Sequence, residues 1–465
     1  MKSAKFLIFA SLLFLLCGCI STQRQNYLTA YQSGQMDDAE KILDQIIQED
    51  MPGDKFTCSN DAALLLLDRA TIRFAFGDTK GAIHDYQLAI EAMDYYSQGS
   101  LSEALGQIAL QDNIGAYAGE DFEQVLARVY FALALLQDGD ENNAYALLRQ
   151  AEEVQQQKRE GYRKERLTQD YELIENPVAK YLMAVLLEHR KDYSNADILY
   201  DQTEKLIGNC LSTFDLRKSA EVNNATVIII AHNGNAPYKI STTANASQAS
   251  ALALEMMLGS CNIPPACSSL IGIPAPILMQ QIFSHRIPIY TRLFRKEKTL
   301  LPFYNISFVS AEQLEQKMPL LVARGVARFA LRRGAIAYLN EQNPCLGTIA
   351  DLGMCVANAC TQADTRSWGT LPSSIDLTRY DIPAGEHTLH IQIHWGIIPP
   401  FIQEFPIRLE PHDLCVINLF NIHPGIVSVQ IPEHYKSKIN KEYTHESPSF
   451  NHSDHSSCSP SDGCD

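Results

Sequence analysis

Beyond its first residues the chain lacks any run of about 18 apolar, uncharged residues, the length a membrane-spanning helix needs. The one borderline stretch, residues 346–363, is interrupted by Asp351, so nothing after the amino terminus is expected to cross a bilayer. A basic face is missing too. The formal charge is −16 and no Lys/Arg patch carries interleaved aromatics, which argues against nucleic acid as a partner. No C-x-x-C occurs among the cysteines, disfavouring a zinc ribbon or a thioredoxin-type site. No nucleophile with a base and an orienting group can be assembled, so the chain implies neither a reaction nor a cofactor.

At the amino terminus stands a targeting signal. Lys2 and Lys5 precede the apolar run Phe6 to Leu16, which is too short to span and correctly shaped for secretion. It ends Leu16-Cys17-Gly18-Cys19, which resembles the lipobox of bacterial lipoproteins. That resemblance implies that residues 1–18 are removed and that Cys19 becomes an acylated mature terminus, with several acyl chains for persistent anchoring. Ile20 follows, where an Asp would imply retention in the inner membrane, so sorting to the periplasmic face of the outer membrane is expected. The competing reading is an ordinary secretory signal with both cysteines unmodified. Twelve cysteines are permissible in an oxidising envelope, and the ten beyond Cys19 form an even set that allows full pairing without requiring it.

Between residues 27 and 207 one pattern recurs four times: Gly34 to Ala39, Gly77 to Ala82, Gly139 to Ala144 and Lys191 to Ala196. Each is a polar turn that closes one helix and opens the next, with a small residue where the helices must approach. In the second unit Ala63, Leu67, Ala70 and Phe74 form one stripe, and Ala82, Tyr86, Ala89 and Met93 the partner stripe. Ser59, Asn60 and Asp61 offer caps at its start, and Asn176-Pro177 opens the fourth unit, which Gly208 stops. Gly77 to Glu91 resembles the turn and second helix of a tetratricopeptide repeat. The anchor alanines Ala39, Ala82, Ala144 and Ala196 stand 43, 62 and 52 residues apart, against about 34 in a regular array. The expectation is a degenerate helical-hairpin array over residues 19–210 with an insertion at 97–119. The charged run after Gln155 reads as a solvated extension or, less simply, a docking arm.

From about Val222 the texture changes to that of a mixed β-containing region over residues 220–435. Thr226 to Ala231 is a buried-strand run, with Asn233-Gly234 and Tyr238 to Thr243 offering a hairpin or strand pair. Residues 246–283 are apolar and rich in Gly and Pro, read as a loop or as a membrane-surface segment. Pro302 to Val309 reads as a strand, and Leu320 to Leu339 as an amphipathic helix with Arg324, Arg328, Arg332 and Arg333 on its polar side. Ile375 to Tyr380, Pro383-Ala384-Gly385 and the residues after it suggest a hairpin. Further strands are expected at 404–409, 414–420 and 426–431. Residues 436–465 form a Ser/His-rich tail expected to be disordered, whose His and Cys residues lack the fixed spacing of a metal site.

The segment Ala363-Asp364-Thr365-Arg366-Ser367-Trp368, followed by Leu371-Pro372 and by Gly385-Glu386-His387-Thr388-Leu389, is similar to a signature of bacterial envelope lipoproteins of unassigned function that join tetratricopeptide-like helices to a β-containing region. Tyr117 to Glu123, Asn176-Pro177 and Tyr181-Leu182 share that resemblance. It implies an α+β fold and no reaction or ligand. Arg366 has the chemistry to hold a carboxylate or phosphate and Trp368 to stack; alternatively Asp364 and Arg366 pair to lock a turn while Trp368 plugs the core. His390 and His394 share a strand face about 13 Å apart and His387 faces away, so the three do not form one metal site. The resulting expectation is a lipid-anchored, non-enzymatic scaffold that docks protein partners. The alternative is an envelope enzyme or carbohydrate-binding protein using Asp364 to Trp368, and a third reading is metal sequestration by the tail.

Overall fold

Four left-handed turn residues organise the helical half. In the computed structural model, which describes residues 19–97, 115–165, 173–208, 223–243, 274–343 and 363–437 apart from 282 and 397, and singly 217, 345, 347 and 350, Gly34, Gly77, Gly139 and Lys191 all have positive φ (+77°, +86°, +90° and +66°). Each ends one helix so that the next can fold back beside it. The pairs are α1 (Cys19–Gln32) with α2 (Met36–Asp50), α3 (Ala62–Phe76) with α4 (Thr79–Ser97), α5 (Asp121–Asp138) with α6 (Glu141–Glu165), and α7 (Pro177–His189) with α8 (Tyr193–Ile207). Successive pairs also pack on each other. Ala39, Ala82 and Ala144 are wholly buried and Ala196 is nearly so, as close helix approach requires. Asn176 caps α7 by accepting from Val178 N at 2.8 Å, and Pro177 occupies the first helical position.

The two helices of a pair are not equivalent. Helices α4 and α8 bury one face, whereas α3, α5 and α7 are buried almost all round. A helix enclosed on every side needs cover on two sides. One side is its own hairpin partner; the other is the β-containing half of the chain.

That half is built from β1 (Asn224–Asn233), β2 (Tyr238–Thr243), β3 (Pro274–Met279), β4 (Ile289–Leu293), β5 (Lys296–Thr299), β6 (Leu301–Asn305), β7 (Ser374–Pro383), β8 (Gly385–Trp395), β9 (Ile398–Leu409), β10 (Leu414–His423) and β11 (Ile426–Gln430), with helix α9 (Ile306–Gln342) after β6. A five-stranded sheet has the order β11-β10-β1-β7-β6, a four-stranded sheet the order β5-β4-β8-β9, and β2 pairs with β3. Side chains alternate across the larger sheet. Ile228, Ile230, Leu377, Val416 and Phe420 join the helical core, while Val227, Ile229, Tyr380, Cys415 and Ile417 join a second core against the smaller sheet. The layers are outer helices, inner helices, large sheet and small sheet. The chain is therefore α+β, with one apolar core running across the expected junction near residues 210–220.

Several expectations are corrected. Asn233-Gly234 does not make a hairpin: β1 lies between β10 (parallel) and β7 (antiparallel), and β2 pairs with β3 instead. A strand apolar on both faces takes a central place. Pro383-Ala384-Gly385 likewise does not close a hairpin. It carries the chain from the large sheet to the small one, because β7 is buried on both faces and β8 on only one. The expected strand 302–309 stops at Asn305, whose side chain accepts from Phe308 N at 3.0 Å and caps α9. Helix α9 begins at Ile306, well before Leu320, and continues through Pro319. Its arginines do not share one solvent face, since Arg324 is exposed and Arg328 is buried. Part of the apolar segment 246–283 is strand β3, with its prolines in a two-stranded sheet where missing N–H groups are tolerated. Asp61 precedes α3 without capping it through its side chain. Residues 1–18, 98–114, 246–273, 351–362 and 438–465 lie outside the described residues, as do most of the cysteines. Of the described ones, Cys58, Cys345 and Cys415 carry free thiols.

Lys191 is the one non-glycine among the four turn residues. Substituting Lys191→Gly is expected to raise stability by up to about 1 kcal/mol, whereas Gly139→Lys should lower it by about 1–2 kcal/mol. The comparison of thermal melting midpoints checks both signs.

Candidate functional site

The residues singled out in the sequence converge on the joint between the inner helices and the β-containing half. Asp364 holds Arg366 bidentately, Oδ1 to Nε at 2.9 Å and Oδ2 to Nη2 at 2.7 Å. Arg366 Nη1 also donates to Asp61 Oδ1 at 3.1 Å and to Gly115 O at 2.9 Å, and the guanidinium lies 5.4 Å from the Tyr117 ring centroid. Its donors are thus committed within the chain, and Asp61 is drawn away from capping α3. Burial works against the charge on Arg366, but Asp364 and Asp61 more than offset it and raise its pKa.

Trp368 is 2% exposed, wedged beside Tyr86 and Tyr130 at centroid distances of 6.3 and 5.3 Å. Its indole N–H donates to Thr71 Oγ1 at 3.1 Å and to Thr370 Oγ1 at 3.0 Å, and its backbone N–H donates to Glu123 Oε1 at 2.8 Å. No face is left on which a ligand could stack. Two residues on, Thr370 donates from both N–H and O–H to Asp68 Oδ1, each at 2.9 Å, and Tyr27 donates to Asp68 Oδ2 at 2.7 Å. Burial pushes the Asp68 carboxyl up against the pull of Arg24 and these hydrogen bonds. Tyr117 to Glu123 meets the same loop: Tyr117 donates to Glu123, while Glu120 is clasped by Lys239 and Lys317. Burial opposes ionisation of Glu120, but the two lysines more than offset it and hold its carboxyl well below the usual range.

Three polar residues on the helix-facing side of the large sheet each find a partner on an inner helix. They were not singled out in the sequence, where each sits in or beside an apolar strand run. From β1, His232 accepts at Nδ1 from Tyr130 O–H at 2.8 Å, donates from Nε2 toward Asn418 Oδ1 at 3.4 Å, and stacks on Phe420 at 4.2 Å. From β10, Asn418 reaches Gln137 at 3.4 Å. From β7, Arg379 is 1% exposed and grips Glu188 with two bonds of 2.9 and 2.6 Å, beside Asp381 and Tyr200. The signal for such partners was the all-round burial of the inner helices, foreshadowed by Ala62-Ala63-Leu64-Leu65-Leu66-Leu67, which is too apolar for one stripe.

The chemistry elsewhere is modest. His387 contacts Pro383 O at 2.7 Å, His390 contacts Glu404 at 2.9 Å, and His394 lies beside Gln392. Among the described residues no group of three His, Cys, Asp or Glu could hold a metal ion, and no helix is long and apolar enough to cross a membrane. A groove of about 470 Å³ runs between α6 and the pair α7–α8. Its charges are paired internally, Lys180 with Glu152 and Glu175, and Arg159 with Glu175. The geometry around Trp368 is that of a welded joint between helices and sheet. Comparison with protein-family models, with curated proteins and with solved structures returned no match to this chain.

Two outcomes follow for the joint. Glu188→Ala should destabilise by about 2–3 kcal/mol because it takes two hydrogen bonds from the buried Arg379, which Asp381 continues to pair, and the loss should be smaller in a chain that already carries Arg379→Met. A double-mutant cycle in denaturant reads the coupling. Burial lowers the pKa of His232 from 6.5 to about 4, so the folded state keeps it neutral while the unfolded chain protonates. Its contribution is present above pH 6.5 and is lost as pH falls toward 4, on the order of 3 kcal/mol. His232→Gln should flatten the fall in melting temperature between pH 7 and pH 4.5.

Proposed function

We propose that this protein is a lipid-anchored envelope scaffold, acylated at Cys19, that carries tetratricopeptide-like hairpins at the periplasmic face of the outer membrane and performs no catalysis. The observation that carries this reading is the arrangement of the helical array. Its inner helices are sealed by the chain's own sheet and by the Trp368 loop, which leaves the outer helices as the presented surface. Local turn geometry and buried alanines support the repeat likeness, while the irregular spacing marks the array as degenerate. In this reading partners dock on the outer helices, because the surface lined by the inner ones is occupied. The alternative of a glycan-binding or enzymatic loop needs Trp368 and Arg366 at a surface, and the first is buried while the second is held by Asp364, Asp61 and Gly115.

The reading is tested in two steps in cells. Labelled palmitate should incorporate into the wild-type chain and into Cys17→Ala, and not into Cys19→Ala, which should leave the membrane fraction. Photocrosslinkers at exposed Gln87 and Glu91 on α4 and at Ile198 on α8 should give discrete adducts with envelope proteins. Absence of adducts from all three positions would remove the scaffold part of the proposal.

A further inference from the structure

The anchor and the folded body are joined with almost no slack. Helix α1 runs unbroken from Cys19 to Gln32. By Arg24 it is already fastened, since Arg24 donates to Ser367 O. One turn on, Tyr27 is wholly buried and bound to Asp68, and Tyr31 donates to Thr370 O at 3.3 Å. Gly369 lies so close to Leu28 that an added Cβ would stand 2.5 Å from Leu28 Cδ2. Besides its packing on α2, α1 is fastened to the Ser367 to Thr370 loop and to α3. Arg24 lies five residue steps beyond Cys19. As helix they span about 7–8 Å, and even fully stretched about 17 Å. A headgroup layer is about 6 Å thick.

We propose that the bilayer surface itself is a contact partner of the folded body: the end of the molecule where α1 enters, beside the Ser367 to Thr370 loop, is held against the lipid headgroups by the short stem rather than tethered at a distance. This rests on acylation of Cys19 as read above. The contact is imposed covalently and does not need opposite charge. Around that loop Arg366 is matched by Asp364 and Asp61, and Lys239 and Lys317 by Glu120, while Arg24 is turned onto Ser367 O and feels the buried Asp68. The body as a whole is acidic, with a formal charge of −16. A zwitterionic bilayer should therefore serve as well as an anionic one. A body fixed this way presents the same faces to the periplasm in every copy, which is what a scaffold with outward-facing helices requires.

The experiment uses the full acylated chain, purified from membranes and placed in vesicles of phosphatidylcholine alone or with one quarter phosphatidylglycerol. A fluorescent amino acid at exposed Gln25 reports energy transfer to headgroup-labelled lipid. A second form carries a 20-residue Gly/Ser insertion between Ser21 and Thr22, which leaves residues 16–20 intact and adds a stem of about 25 Å root-mean-square length. Transfer is expected to be strong in the native chain, equal in the two lipid mixtures, and at least about twofold weaker in the insertion form at equal acylation. Equal transfer in the native and insertion forms, with the acyl mass confirmed on Cys19, overturns the inference and leaves the anchor standing. Transfer that requires phosphatidylglycerol overturns it in favour of charge-driven docking. A chain that carries no acyl mass overturns the anchor and the inference together.

Discussion

The structure depends on one constraint: the inner helices must be covered on the side away from their hairpin partners, and the cover must satisfy the polar groups buried there. Helix α3 illustrates both demands. It buries Leu64, Leu66 and Ile72, which any apolar surface would satisfy, and it buries Asp68 and Thr71, which only hydrogen-bond donors and acceptors in fixed positions satisfy. The Trp368 loop supplies both. Its indole fills the space beside Tyr86 and Tyr130, an aromatic burial worth of order 150–250 Å², and Thr370 brings two donors to one oxygen of Asp68. Removing the loop would strip the buried Asp68 carboxylate of two of its donors and leave it Tyr27 alone, a desolvation cost added to that of the lost apolar contacts.

Such a joint specifies register as well as affinity. An apolar sheet face slides on an apolar helix face at little cost, whereas a face carrying His232, Asn418 and Arg379 at set positions does not. Each of these has its partner on α5 or α7, and a shift by one residue would unpair all three. Buried charge pairs are weak contributors to net stability. Their use here lies in excluding wrong dockings, and Glu188 with Arg379 is the pair whose mismatching would be most costly.

Much of the helical half was legible because it is local. The turn residues, the alanines behind them and the cap at Asn176 each act within a few positions of themselves, so a one-dimensional reading finds them. The candidate residues Asp364, Arg366 and Trp368 were visible as an unusual cluster, yet nothing local marks Asp61, Thr71 and Glu123, some 240 to 300 residues away, as their partners. The two mistaken hairpins share one cause. Asn233-Gly234 and Pro383-Ala384-Gly385 are turn-like, and the eye pairs the strands on either side. Burial on both faces of β1 and β7, against one face of β8, separates them into different neighbourhoods, and that burial is a property of the layers and not of the turn.

The same topology bears on how the chain reaches this state. The centre of the large sheet is β1, and its parallel neighbour β10 is made some 190 residues later. The stem helix α1 is fastened to Ser367, 343 residues away. Contacts of such separation close late, because loop entropy must be overcome before they contribute. Until β7, β10 and the Trp368 loop are in place, the inner helices expose an apolar face on one side, Asp68 lacks Thr370 and Glu188 lacks Arg379. The helical pairs can form early, since their turns and stripes are local, but they cannot be sealed early. Helix α1 therefore becomes firm only when nearly the whole chain has folded.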